Sequence, residues 1–227
     1  MHPLDTLLRK IASHPETTTL VIEDPRLKPA LMRKIVSDLI EIIPVCYLDF
    51  DLQFSSMLQN VPDDFYAQLV SKGLLVIQPE DDLAALVNFL AVPGRIQNNG
   101  VIILDSVNSL QTLLSSNSSP KRLRTANYRS FLLISVIQMI GSFFSNSLIM
   151  ANVAKSRPRI QQDRSTVWEK ELVGGRMMKY KSDSIAIASE VKHPQKESSR
   201  TARLVVNRDS SSSGEEEEYI VDLCGSR

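Results

Sequence analysis

The chain has 227 residues, 43% of them hydrophobic and 23% charged, and its formal net charge is zero. This length is enough for one domain with a sizeable core. Because the chain is neutral, it has no overall electrostatic field that attracts nucleic acid, and any such contact needs a local basic patch. No Cys/His spacing typical of a zinc site occurs, and Cys46 and Cys224 lie in apolar runs, which predicts reduced thiols in an intracellular protein.

Short apolar runs alternate with amphipathic segments over the first two thirds of the chain. Leucine and isoleucine at helical spacing predict a short N-terminal helical segment within residues 1–16, followed by one core domain over residues 17–227. In chain order, the patterns then predict strands at 18–22, 44–50, 74–77, 101–105 and 147–153, with helices at 30–43, 55–71, 81–91 and 126–144. Apolar strands that alternate with helices are typical of an α/β fold with a parallel sheet covered on both faces.

The C-terminal third has a different pattern. Residues 184–188, 201–206 and 219–223 predict shorter antiparallel strands at one edge of the sheet. The serine and glutamate run at 210–218 predicts a solvated loop, with a phosphorylatable acidic loop as the alternative.

One stretch, residues 131–154, is apolar enough to raise the question of a membrane span. Polar residues interrupt it, so it lacks the roughly 18 continuous apolar residues that a span requires. A buried helix followed by a buried strand is the better prediction, and no membrane contact is expected.

Two of the predicted strands end in acidic and hydroxyl side chains. Asp49 and Asp51 follow Tyr47 at the end of one strand, and Asp105 and Ser106 end another. Ligands of open parallel sheets bind beyond the carboxyl ends of the strands, so we expect Asp49, Asp51 and Asp105 to converge where a metal–nucleotide complex would lie. The alternative is an ordinary set of strand-end residues that cap the following helices.

The order of segments resembles the core of the RecA/RadA-type recombinases. Residues 47–51 are similar to that family's strand with the catalytic acid, and residues 102–106 to its Walker B strand. Residues 152–158 and 173–175 are similar to the start and end of its second DNA-binding loop, and residues 214–223 to its closing strand. The resemblance rests on this co-linear order. It implies a RecA-like, mostly parallel sheet flanked by helices, with antiparallel strands at the C-terminal edge.

The departures from this family concern its phosphate loop. Such a loop needs glycines whose N–H groups point at the phosphates, together with a Lys and a Ser or Thr. Residues 20–29 contain no glycine; Glu23 and Asp24 would repel a triphosphate, and Pro25 and Pro29 lack the N–H donor. Lys28 is nearby but out of register with the family's lysine.

Two further positions depart from the family. Asp51 stands where the family carries a glutamate, and Val153 stands where it carries a glutamine that senses nucleotide and DNA. Together these losses predict a protein that is not an enzyme and needs no cofactor or metal. The set Asp49, Asp51, Asp105 and Ser106 is then interpreted as relics of a nucleotide site.

Basic residues remain where the resemblance implies contact with DNA. The region similar to the family's first DNA-binding loop contains Lys121, Arg122 and Arg124, and the second contains Lys155, Arg157, Arg159 and Arg164. Phosphate contacts from such loops would be independent of sequence and sensitive to salt. Solvated loop charges without a ligand are the alternative.

The resemblance implies a non-catalytic recombinase paralogue, similar to the small subunits of Shu-type complexes. Such a subunit would join a hetero-oligomer with other recombinase paralogues or the recombinase itself, and promote recombinase filament assembly on single-stranded DNA in homologous recombination repair. Single-stranded DNA would be bound only within the complex. The expected location is the nucleus, or the cytoplasm if the chain is archaeal.

Two other functions stay open. Subunits of the Elongator accessory ring also resemble RecA cores without phosphate loops and bind tRNA, although the segment 155–158 and the Gly174-Gly175 pair favour recombination. The third possibility is a residual enzyme that uses Asp49, Asp51 and Asp105 as a metal site.

Overall fold

The computed structural model describes residues 8–9, 11, 15–79, 82–115, 120–160, 166–171, 178, 181–191, 201–208 and 216–223. The strands are β1 (Thr17–Ile22), β2 (Val45–Asp49), β3 (Leu74–Ile77), β4 (Val101–Asp105), β5 (Ser147–Val153), β6 (Lys155–Ile160), β7 (Thr166–Glu171), β8 (Ser184–Val191), β9 (Thr201–Arg208) and β10 (Glu216–Asp222). The helices are α1 (Lys28–Leu39), α2 (Gln53–Leu58), α3 (Asp63–Ser71), α4 (Leu83–Ala91), α5 (Val107–Ser115) and α6 (Pro120–Phe143), with a 3-10 turn at Pro25–Leu27.

The described strands form one large sheet and one hairpin. The large sheet has eight strands in the order β10-β9-β8-β1-β5-β4-β2-β3. Strands β8, β1, β5, β4, β2 and β3 are parallel to one another, whereas β9 is antiparallel to both of its neighbours, β8 and β10, at the C-terminal edge. The predicted α/β class, with a mostly parallel sheet and antiparallel strands at that edge, is therefore confirmed and is consistent with a RecA-like fold.

Helices cover both faces of the sheet because its central strands are apolar on both sides. On one face, α1 packs through Leu31, Ile35 and Leu39 in a cluster that also contains the N-terminal residues Leu8 and Ile11. On the other face, α4, α5 and α6 enclose a second cluster. Among the helices of the described residues, none combines the length and apolarity needed to cross a membrane.

The structure corrects the predicted elements in three places. The helix predicted at 55–71 is two helices, α2 and α3, because Pro62 favours an extended backbone and starts a new helix. Helix α5 was not predicted, although Val107 and Leu110 have helical spacing. The third is the hairpin of β6 and β7, in the segment that the resemblance places in a DNA-binding loop.

The two edges of the large sheet differ in chemistry. Strand β3 pairs with β2 and occupies one edge with the sequence Leu-Leu-Val-Ile. Strand β10 occupies the other edge and begins with three glutamates. Charged edge strands discourage pairing with further strands, and apolar ones permit it.

Candidate functional site

The predicted acidic residues meet at the carboxyl edge of the sheet. Strands β2 and β4 are parallel neighbours whose register pairs Asp49 with Asp105, and Asp51 lies in the turn after β2. Oxygen atoms of the three carboxyl groups lie within 4.8 Å of one another. Asp49, Asp51 and Asp105 therefore converge, as their positions at the strand ends predicted.

A lysine lies between these carboxyl groups. The ammonium of Lys28 contacts Asp51 Oδ2 and lies 2.6 Å from Asp105 Oδ1, and its side chain is 3% exposed. Lys28 is the first residue of α1, which follows β1, so it stands at the strand–loop–helix position that the lysine of a phosphate loop occupies, contrary to the sequence interpretation that it is out of register. The partial positive charge at the N-terminus of α1 also favours ionised carboxylates here. The acidic cluster thus has an internal counter-ion.

Tyr47 orients the carboxyl group of Asp105. Its hydroxyl donates a hydrogen bond to Asp105 Oδ2, and both side chains are buried. The tyrosine ring stacks on Phe54 of α2 with 4.1 Å between ring centroids and 19° between ring planes. Asp105 therefore contacts Lys28 through one oxygen and Tyr47 through the other, which fixes its carboxyl plane.

Asp49 is held by the first turn of α2. The backbone N–H of Ser55 donates to Asp49 Oδ2 at 2.6 Å. The other oxygen, Oδ1, is buried and has no hydrogen-bond partner among the described residues. A buried carboxyl oxygen without a partner favours the protonated form of the group.

Burial and mutual repulsion set the electrostatics of the cluster. Burial raises the pKa of Asp105 to about 6, against the opposing attraction of Lys28. Burial likewise raises the pKa of Asp49, with Ser55 opposing the shift and Asp51 adding to it, and raises the pKa of Tyr47 well above its ordinary value. For Lys28, burial lowers the pKa, but Asp105 and Asp51 outweigh it and the net shift is upward. The ammonium form of Lys28 is thus the stable one.

The segment after β1 is compact. Asp24 accepts a hydrogen bond from the N–H of Arg26 at 2.9 Å and caps the short 3-10 turn that leads directly into α1. The cavity beside the cluster, lined by Lys28, Tyr47 and Asp105 among others, has a volume of about 10 Å³. A site of this size is at the lower limit for a single water molecule.

Two neighbouring polar residues have structural contacts. Ser106 caps α5, since its Oγ accepts from the N–H of Ser109 at 3.2 Å. The side-chain amide of Asn108 makes two hydrogen bonds to the backbone of Val153, at 2.9 Å and 3.1 Å, and so joins α5 to the end of β5. Asn152, next to it, is fully buried with neither amide atom hydrogen-bonded within the described residues.

The predicted nucleic-acid-binding residues fall on two elements. Lys121, Arg122 and Arg124 belong to the first turns of α6, and Lys155, Arg157 and Arg159 belong to β6; Arg164 lies outside the described residues. Helix α6 has 24 residues, about 36 Å, whereas the seven residues of β5 span about 23 Å. Helix α6 ends close to the start of β5. Because the helix is longer than the strand, its first turns extend beyond the carboxyl edge of the sheet, where the hairpin also starts.

The hairpin register places acidic residues opposite two of the basic ones. Lys155 is paired with Glu171 and Arg157 with Glu169, whereas Arg159 is paired with Val167. Opposite charges at such positions favour the pairing of the strands. The register therefore places Lys155 and Arg157 in a two-stranded ladder and not in the loop that the sequence predicted.

Sequence reasoning missed Lys28, Tyr47 and Ser55 as members of the cluster. The signal for Lys28 was its place before Pro29, because proline in the first turn marks a helix start at the same edge as the acids. Compared with known proteins, the chain matches no protein-family model and no curated protein sequence. Assignment to the recombinase family therefore rests on the order of segments along the chain.

Proposed function

We propose that the chain is a non-catalytic RecA-fold recombinase paralogue, a subunit of a hetero-oligomer that promotes recombinase filament assembly on single-stranded DNA. The single observation that carries the non-catalytic part is the position of Lys28. Its ammonium contacts both Asp51 and Asp105 from within the fold, at the edge where a nucleotide and its metal would have to bind. Other recombinase paralogues, or the recombinase itself, are the partners expected in the nucleus.

The geometry around Lys28 supports the absence of hydrolysis. A triphosphate needs a cradle of inward N–H groups, whereas the segment after β1 is a proline-containing turn beside a cavity of about 10 Å³. Binding a nucleotide there would require α1 to move and would break the buried ion pair. Removing one partner of such a pair costs about 3–5 kcal/mol, which disfavours that movement.

The basic segments support a contact with nucleic acid. The first turns of α6 and the hairpin lie at the same edge of the sheet, and α6 has four basic residues and no acidic one. Phosphate contacts from two such elements would give affinity that falls as salt rises. Because Lys155 and Arg157 are opposite glutamates, Arg159 and the start of α6 are the stronger candidates.

The decisive experiment is affinity purification of the tagged chain from its own cells, with identification of the proteins that co-purify. Recombinase or recombinase paralogues in the eluate would support the repair role. Elongator subunits, with preference of the complex for tRNA over single-stranded DNA, would contradict it. For the non-catalytic part, the contrary result is ATP hydrolysis at motor-protein rates that is lost in the Asp105→Ala variant.

A further inference from the structure

Helix α6 has apolar side chains on the face turned to solvent. Tyr128, Leu132, Met139 and Phe143 are 59%, 44%, 66% and 79% exposed. Phe143 is the most exposed of them and has a fixed neighbour, because its ring meets the edge of buried Phe144 with 5.1 Å between ring centroids. Exposed large apolar residues scattered singly are normal, but a contiguous set marks an interaction site.

These four residues form one stripe, named here the α6 stripe. At 3.6 residues per turn they fall within an arc of about 60°, and over 15 residues the stripe is about 22 Å long. The residues of α6 that pack into the core, such as Ile134, Ile137 and Ile140, lie on nearly the opposite side of the helix. The α6 stripe is therefore distinct from the face that stabilises the fold.

All charged residues of helix α6 are basic. The basic residues Lys121, Arg122, Arg124 and Arg129 all lie in its first ten positions, and none of its 24 residues is acidic. The N-terminal end of a helix also has a partial positive charge. The charged residues of α6 are thus all basic and lie in its first ten positions, and the α6 stripe follows along the helix.

We propose that the α6 stripe binds an amphipathic helix of a partner protein, one with an apolar stripe of its own and acidic residues next to the start of α6. A long, narrow apolar stripe matches the face of a single helix, since helices that pack along one another meet through residues spaced three and four apart. The acidic character of the partner follows from the basic, acid-free charge pattern of α6. The α6 stripe is separate from the nucleotide-site cluster, but the basic start of α6 is also the segment proposed above to contact phosphates, so an acidic partner helix and nucleic acid would compete for it.

The probe is a synthetic three-heptad peptide with Leu at positions a and d, Glu at positions e and g, and a fluorescent label. A control peptide has Lys in place of Glu. Fluorescence anisotropy with the full chain should show saturable binding of the Glu peptide, with an affinity at least about tenfold higher than that of the Lys peptide. Met139→Glu should weaken that binding about tenfold or more, because it places a charge in the middle of the α6 stripe.

Val70→Glu is the matched control, since it puts the same charge in place of an exposed apolar residue on another helix, α3. It should change the affinity less than about threefold, and circular dichroism melting should show that both variants stay folded. Equal binding of the two peptides, or binding unaffected by Met139→Glu, would overturn the proposal. So would a dimer of the chain that Met139→Glu dissociates, or binding to phosphatidylserine vesicles that Met139→Glu abolishes, since these identify a second copy or a lipid surface as the occupant.

Discussion

The ammonium of Lys28 lies 2.6 Å from Asp105 Oδ1, and the two side chains are only 3% and 2% exposed. Lys28 follows β1 and Asp105 ends β4, so this contact joins two parts of the chain that are far apart in sequence. Because the pair is shielded from water, each partner depends on the other for its charge to be tolerated.

Replacing Lys28 by methionine should destabilise the protein strongly. The variant Lys28→Met keeps the length of the side chain but leaves Asp51 and Asp105 without their cation, so we expect a loss of about 3–5 kcal/mol in the free energy of unfolding at pH 7. Urea denaturation measures this. The control Lys34→Met breaks a partly exposed i,i+4 pair with Asp38 and should cost less than about 1 kcal/mol. Similar losses in the two variants would show that the ion pairs of Lys28 stabilise the fold no more than a partly exposed ion pair does.

Asp105 should make stability depend on pH in the mildly acidic range. Its pKa is raised by burial from 3.8 to about 6 in the folded protein, so the folded state binds the proton more tightly than the unfolded state does. The contribution of this group to stability is therefore greatest below its unfolded pKa and falls as pH rises through about 6.

We expect this contribution to amount to about 1–3 kcal/mol and to be missing from Asp105→Asn. Urea denaturation of both proteins between pH 4 and pH 8 measures the difference. A difference that does not change with pH would mean that Asp105 has the same proton affinity in the folded and unfolded states.

Removing Lys28 should create a site for a divalent cation. In the native protein the ammonium of Lys28 already contacts Asp51 and Asp105, so thermal unfolding should respond little to Mg²⁺ or Mn²⁺. In Lys28→Met three carboxyl groups within 4.8 Å of one another lack a cation, and hard divalent ions prefer such oxygen ligands. The melting temperature of the variant should then rise with metal concentration. A strong response of the native protein would instead favour a metal site of its own, and with it the residual-enzyme function.

Tyr47→Phe should test the hydrogen bond to Asp105 separately from ring packing. The substitution removes only the hydroxyl and keeps the stacking on Phe54, so we expect a loss of about 1.5–3 kcal/mol in the free energy of unfolding, as for hydrogen bonds to charged groups. Tyr66→Phe, on a ring that is 41% exposed, should be close to neutral. Equal effects of the two changes would indicate that the Tyr47 hydroxyl contributes no more than a solvent-exposed one.

The sequence predicts the fold better than the site, and particular residues explain the difference. Strands such as Val101–Asp105 are apolar throughout, and this pattern depends only on local sequence and burial. The place of the acids follows from it, because parallel strands end at one edge. The role of Lys28 depends instead on which strands are neighbours, and local sequence does not specify the strand order.

The missed elements have local causes. Helix α5 lies next to a serine-rich segment that favours turns, although Ser106 provides its N-cap and Leu110 its buried face. The hairpin contains Pro158, which argues against a central strand but is compatible with a two-stranded ribbon. In both cases the residue composition is typical of loops, so the sequence did not predict the helix or the strands.

The unequal edges of the sheet limit how copies of this chain can associate. Two β10 strands related by a two-fold axis run antiparallel, so in the centred register the glutamate end of each strand lies beside Asp222 at the end of the other, and like charges on adjacent strands repel each other. Pairing through β3 has no such barrier, but two identical edges that meet this way are related by a two-fold axis and leave no apolar edge exposed. Sheet extension through paired β3 strands therefore ends at two chains, whose remaining edges are the acidic β10 strands.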